Sequence, residues 1–124
     1  MSKQINNVIA AAKTASEKWK AAFNAGDAAA CAACYEEGAL VVAKPFGTFT
    51  GRAEIEALWQ QVIGDGFSDV EYIEPEIAAL DEDTAVLSSR WKMNKAHGVI
   101  TKELWALQAD GTALLREDHF EALG

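Results

Sequence analysis

The sequence predicts a single α+β domain in which three N-terminal helices cover one face of a curved, mostly antiparallel sheet. Three observations carry that prediction. Apolar residues recur at helical spacing through the first half, alternation takes over after Phe67, and turn residues separate the alternating runs. At 124 residues the chain has the length of one domain that buries most of its apolar surface around one core, so residues 1–124 are read as one unit.

The first helix is expected over residues 3–24, where Ile5, Val8, Ile9, Ala12, Ala15, Trp19, Ala22 and Phe23 fall on one face. Asn24-Ala25-Gly26 ends it, with Gly26 suited to a left-handed cap. Asp27 caps a short Ala-rich helix that runs to about Tyr35 and stops at Gly38. Ala39–Ala43 reads as a short apolar strand, Lys44-Pro45-Phe46-Gly47 as a turn, and Thr48–Thr50 as a brief extended segment. A third helix starts at Thr50 or Gly51, with Glu54 in the first turn, where the helix dipole favours an acid. Ile55, Leu58, Trp59, Val62 and Ile63 form its apolar stripe, and Gly64-Asp65-Gly66 terminates it. A strand over Phe67–Leu80 is interrupted at Pro75, which implies a bulge or an edge position. Turns then lead into strands at Thr84–Asn94, Val99–Gln108 and Thr112–Glu121, the last after Asp110-Gly111, a strong hairpin dipeptide.

Composition removes several function classes. A net charge of −8 argues against a nucleic-acid groove or an anionic membrane surface, both of which need basic patches. No apolar run approaches the roughly 18 residues of a membrane span, and the N-terminus lacks a signal-peptide pattern, so a cytoplasmic protein is expected. Cys31 and Cys34 form a Cys-Ala-Ala-Cys, but a helix rather than a strand precedes it, so packing is the expected role rather than redox chemistry. Two more ligands would be needed for zinc, and His97 and His119 are isolated; neither metal nor organic cofactor is expected.

With the elements in order, the chain resembles the nuclear-transport-factor-two-like superfamily, and within it the SnoaL-like and ketosteroid-isomerase-like proteins. The resemblance is carried by Trp19–Asp27, by Ala33–Val42, by Gly51-Arg-Ala-Glu-Ile55, and by Ala109-Asp-Gly-Thr112 with Asp118-His-Phe120. It implies a cone-shaped sheet with a pocket at its open end, and commonly a homodimer. It does not imply one activity, because the fold hosts isomerases, cyclases, epoxide hydrolases, dehydratases and binding modules without chemistry. Where ketosteroid isomerases carry a catalytic aspartate before a proline, this chain has Lys44 before Pro45. Their oxyanion-holding tyrosine falls on Trp19, whose indole donates one hydrogen bond but transfers no proton usefully. A steroid isomerase of that kind is therefore not expected.

Any proton chemistry then moves to the closing hairpin, where register decides which side chains meet. A two-residue loop sets Glu103 opposite Asp118 and Lys102 opposite His119. A three-residue loop with a Gly bulge sets Glu103 opposite Glu117, Thr101 opposite His119 and Ile100 opposite Phe120. Cross-strand pairing prefers the second, and the family's last-strand histidine, matched by His119, agrees. In either register Glu103 faces a carboxylate, so the pair shares a proton, recruits a cation or splays into water. The expectation is an enzyme with Glu103 as the principal acid/base, Glu117 as the partner that raises its pKa, and His119 as a hydrogen-bonding or second proton-transfer group. A wet rim or a buried, satisfied histidine would serve no chemistry. Trp19, Phe23, Trp91, Met93 and Trp105 are expected to wall a cavity for an apolar or cyclic ligand, each also serving as core. Arg90, Lys92 and Lys102 belong to the opposite face. The alternative is a non-catalytic ligand-binding or dimerisation module with the same pocket.

Overall fold

A computed structural model describes residues 2–124, with side chains from Asn7 onward; Ile5 of the expected stripe lies outside the described side chains. Helices α1 (Ser2–Asn24), α2 (Ala28–Ala33) and α3 (Arg52–Gly64) pack against six strands, β1 (Tyr35–Lys44), β2 (Gly47–Thr50), β3 (Glu71–Ala79), β4 (Thr84–Lys92), β5 (His97–Leu107) and β6 (Ala113–Ala122). The strands form one curved, open sheet in the order β2-β1-β6-β5-β4-β3. Every neighbouring pair is antiparallel except β1 and β6. Among the described residues no helix is long and apolar enough to cross a membrane.

The helices follow the expected chemistry. Asp27 caps α2 by accepting the Ala30 amide at 3.0 Å, and Gly26 takes the left-handed conformation (φ 75°) between the two helices. Val8, Ala12, Trp19 and Phe23 turn the buried face of α1 inward, and Ile55, Leu58 and Trp59 do the same for α3. Cys31 and Cys34 are buried free thiols on α2. Burial pushes the Cys31 thiol up to about 12, helped by its neighbour Cys34, so it is not a thiolate nucleophile at neutral pH.

Three boundaries differ from expectation, each for a tertiary reason. Tyr35 does not end α2 but begins β1, because β6 recruits it: Leu115 N–H donates to the Cys34 carbonyl at 2.8 Å and Tyr35 pairs with Leu115. The ladder then breaks and resumes at Leu40, which leaves Gly38 in a strand rather than at a helix stop. Phe67–Val70 is not part of β3; the Asn24 side chain clamps it, accepting from Val70 N–H at 2.7 Å and donating to Val70 O. At Pro75 both expected features occur together, since β3 is an edge strand and its register shifts between Ile73 and Glu76. Glu74 there has φ 54°.

Gly98 places one wall of the interior. It pairs with Trp91 across β4 and β5, and the indole lies against its bare Cα, where a Cβ would overlap both that ring and the Glu121 carbonyl oxygen. Gly98→Ala is therefore expected to lower unfolding free energy by about 3 kcal/mol, the upper end for overpacking. Urea denaturation measures it; an unchanged midpoint would mean that Trp91 and the strand yield freely.

Candidate functional site

The hairpin that carries the candidate acids is built with two compensating irregularities. Its turn is the expected three-residue form: Gln108 N–H donates to Thr112 O, Gly111 N–H donates to Gln108 O, and Gly111 is left-handed. Leu107 accordingly pairs with Ala113 and Trp105 with Leu115. Arg116 then stands as an extra residue on β6, so Leu104 pairs with Glu117, Glu103 with Asp118 and Lys102 with His119. Thr101 is the extra residue on β5 and restores the first register at Ile100–Phe120. The expected Glu103–Glu117 pairing is corrected to Glu103–Asp118, because a bulge shifts the side-chain alternation by one residue.

The shift sorts the side chains between two faces. Leu115, Asp118 and Phe120 point inward with Glu103 and Trp105, and both acids are almost fully buried, at 3% and 4% exposure. Glu117 and His119 stand instead on the outer face, where His119 Nε2 meets Glu117 Oε1 at 3.0 Å and Lys102 approaches the same oxygen at 3.5 Å. That cluster keeps the Glu117 carboxyl low through its hydrogen bond with His119. The structure thus separates the three expected catalytic residues, leaving Glu103 alone inside, with Asp118 as its neighbour.

Each buried acid has its own tyrosine. The Tyr35 hydroxyl donates to Asp118 Oδ2 at 2.8 Å, and the Tyr72 hydroxyl to Glu103 Oε2 at 2.8 Å. Trp105 donates its indole N–H to Glu103 Oε1 at 3.0 Å. Desolvation pushes Glu103 up to about 8, aided by the charge of Asp118 and opposed by the Tyr72 and Trp105 hydrogen bonds. Desolvation also raises Asp118, to about 6, opposed chiefly by the Tyr35 hydrogen bond. Burial thus favours the protonated form at both facing carboxyls. Burial, then the neighbouring acids, hold both tyrosine hydroxyls far above their usual pKa.

The acids line a small inner chamber of about 30 Å³, together with Tyr72, Trp19 and Val70. Trp59, Trp91, Met93 and Phe120 line both this chamber and a wider groove of about 960 Å³ at the open end of the cone, so these four side chains form the partition. Phe120 stacks on Trp59 (5.8 Å between centroids, 23° between planes) and meets Trp91 edge-on at 6.3 Å. Trp19, Trp91 and Met93 thus face the chamber. Phe23 lies behind Trp19, stacked at 5.3 Å, and Trp105 serves as the holder of Glu103.

The indole N–H groups of Trp19, Trp59 and Trp91 are buried and make no hydrogen bond; that of Trp59 lies close enough to the Tyr35 hydroxyl to favour its ionised form. Residues 19 and 91 were expected at the pocket, whereas Asp118, Tyr35, Tyr72, Trp59 and Phe120 were not assigned to it. Among the described residues no three His, Cys, Asp or Glu side chains gather as a metal-binding group.

Comparison with known proteins agrees with this architecture. The family model of the SnoaL-like domain matches residues 16–117. No curated protein matches the sequence. Among solved structures, a ketosteroid isomerase-like protein from Erwinia carotovora atroseptica superposes with a TM-score of 0.80 at 17% identity, covering 94% of this chain and 96% of its own. A candidate scytalone dehydratase from Novosphingobium aromaticivorans gives 0.81 at 16% identity, over 100% of this chain and 89% of its own. ActVI-ORFA from Streptomyces coelicolor gives 0.76 at 15% identity, over 91% and 95%. At such identities the likeness is one of fold.

The carboxyl pair has a consequence for stability. A carboxyl whose folded pKa lies above its unfolded value contributes fully below the unfolded value and loses that contribution as pH rises through the folded one. For Glu103 the window runs from 4.5 to about 8. Urea unfolding is expected to show a loss on the order of 3 kcal/mol between pH 5 and pH 8. Glu103→Gln, which mimics the neutral acid toward Trp105 and Tyr72, is expected to keep less than half of that loss. Equal pH dependence in the two proteins would refute a buried neutral Glu103.

Proposed function

The chain belongs to the SnoaL-like domain family, and from that membership and its buried carboxyl pair we propose that it is a small-molecule acid/base enzyme of the isomerase, cyclase or hydrolase type. The substrate is an apolar or cyclic compound that enters through the open end of the cone. The observation that carries the reading is the facing of Glu103 and Asp118 in a chamber walled by aromatic rings. Two acids whose surroundings push their proton affinities apart supply an acid and a base at the same pH.

In this reading Asp118 is the base. The Tyr35 hydroxyl occupies one of its oxygens and holds the carboxylate in place, while the other is left for a substrate proton. Glu103 is the acid, delivering its proton directly or through the Tyr72 hydroxyl to a substrate oxygen. Proton removal beside a carbonyl and proton delivery to its oxygen then form an enol without a build-up of charge. Where the enol is conjugated with a further double bond, Asp118 returns the proton to the far carbon while the enol oxygen gives its proton back to Glu103. That completes an isomerisation with both carboxyls in their starting states. The aromatic partition excludes water while these charges move. Glu117 and His119 act in this scheme only from the outer face, through the weak pull of His119 on the Asp118 carboxyl.

The facing of two buried acids favours an enzyme over a bare binding module, in a fold shared with a ketosteroid isomerase-like protein and a candidate scytalone dehydratase. The same chamber without turnover is the alternative. Exchange of the α-hydrogens of cyclohexanone for deuterium in D2O separates the two, because it needs only a base and an acid around a carbonyl. Wild-type protein is expected to accelerate exchange, with Asp118→Asn and Glu103→Gln each losing about 100-fold or more, as for a removed general acid or base. Exchange no faster than in buffer, with cyclohexanone bound, would leave the binding module as the function.

A further inference from the structure

Tyr72 is a wall with two sides. One side lines the chamber, where its hydroxyl meets Glu103 Oε2 at 2.8 Å. The other lines a separate groove of about 320 Å³ between α1 and strands β3 and β4, shared with Lys13, Ser16, Glu17 and Lys20. Lys20 follows Trp19, and one step along a helix turns a side chain by about 100°. Trp19 therefore lines the chamber while Lys20 reaches the far side of the same tyrosine. Its ammonium stands 4.7 Å from the centre of the Tyr72 ring.

That placement needs a cause, since the lysine side chain is only 16% exposed. Drawing an ammonium out of water and fixing a long flexible stem both cost free energy. Glu17, one turn earlier, accepts from it at 2.9 Å, but that carboxylate is 64% exposed, and such pairs contribute little. What remains is the face of Tyr72, which attracts a cation, and the carboxyl beyond it. Arg90, Lys92, Lys102 and Arg116 pair instead with acids away from the chamber. Glu103 is thus faced by Lys20 from α1, Tyr72 from β3, Asp118 from β6 and Tyr35 from β1, with Trp105 beside it on β5. Cys31 of α2 lies near Tyr72. Burial, then the Asp118 charge, favour the neutral form of Glu103, whereas Tyr72, Trp105 and Lys20 favour the ionised one.

We propose that Lys20 is a positioning residue of the chamber: from behind the Tyr72 ring it holds the phenol against Glu103 and supplies the positive charge that this buried carboxyl otherwise lacks. A cation over the ring draws electron density from the phenol, which strengthens its hydroxyl as a donor to the ionised acid. Lys20 transfers no proton. It acts through Tyr72, and its consequence for turnover rests on the acid/base reading.

Side-chain ¹³C NMR of the Glu103 carboxyl, assigned from Glu103→Gln, measures the effect directly. Lys20→Met keeps most of the stem and removes the charge; it is expected to raise the Glu103 midpoint, about 8 in the wild type, by roughly half a pH unit to one unit. Lys20→Arg, which keeps a cation on the ring, is expected to restore it. An unmoved midpoint in Lys20→Met, or an equal shift in Lys20→Arg, would overturn the proposal. Wild-type protein gives a check that needs no variant. The Lys20 ε-methylene protons are expected upfield under the Tyr72 ring current, and finding them at ordinary lysine positions would sink the contact. In cyclohexanone exchange, the alkaline limb of the pH profile is expected to move with the Glu103 midpoint. If the titration shifts but the wild-type protein speeds no exchange, the acid/base reading fails while the positioning stands. Exchange with the same alkaline limb in wild type and Lys20→Met would remove Lys20 from the mechanism and leave that reading intact.

Discussion

Two carboxyl groups face each other across β5 and β6 in a buried interior, and among the described residues no basic side chain lines the chamber beside them. That confrontation is unfavourable for two charges, and together with burial it raises the proton affinity of the pair. What fixes the confrontation is the backbone. Arg116 and Thr101 each add one residue to one strand of the hairpin, and between them the inward face passes from Glu117 to Asp118. Without these bulges the tight turn at Ala109–Gly111 would aim a different acid at the core. Bulges near a site re-aim side chains in this way, and here the two cancel, so the rest of the sheet keeps its register.

The aromatic residues provide the complementary half of the design. Trp19, Phe23 and Trp59 contact one another, and Phe120 carries the contact across to the sheet. Their rings cover the acids and so sustain the desolvation that raises both carboxyls. They also stand between the chamber and the open groove. A ligand larger than a water molecule must displace Phe120 or its neighbours to reach the acids, since the chamber itself holds only about 30 Å³. Of the four shared side chains, Met93 and Phe120 are half-buried, whereas Trp59 and Trp91 are buried.

Most of the fold was legible because local periodicity and turn chemistry agreed: the α1 and α3 stripes, the Asp27 cap, the edge character of β3 and the Asp110-Gly111 turn all stand where they were read. Tyr35 was misassigned because nothing nearby in sequence reveals that β6, eighty residues on, pairs with it. The site was half legible. Glu103 follows from simple alternation along β5, and Trp19 and Trp91 from their faces. Asp118 was hidden by the Arg116 bulge, for which the sequence offers no turn residue or glycine as a signal. The two registers weighed against each other are both present, at different points of one hairpin. Tyr35 and Tyr72 were invisible as site residues because their value lies in hydrogen bonds that span 83 and 31 positions.

The position of β6 in the sheet also ties the chamber to the closure of the fold. It lies between β1 and β5, so it alone joins the β1–β2 hairpin to the β3–β4–β5 meander. Until the last segment is inserted, the chain has two unconnected pieces of sheet, and one side of that insertion is a parallel pairing closed over a very long loop. Glu103 and Asp118 stand on the two strands of that junction, so the pairing that completes the sheet is also the one that brings the two acids of the chamber together.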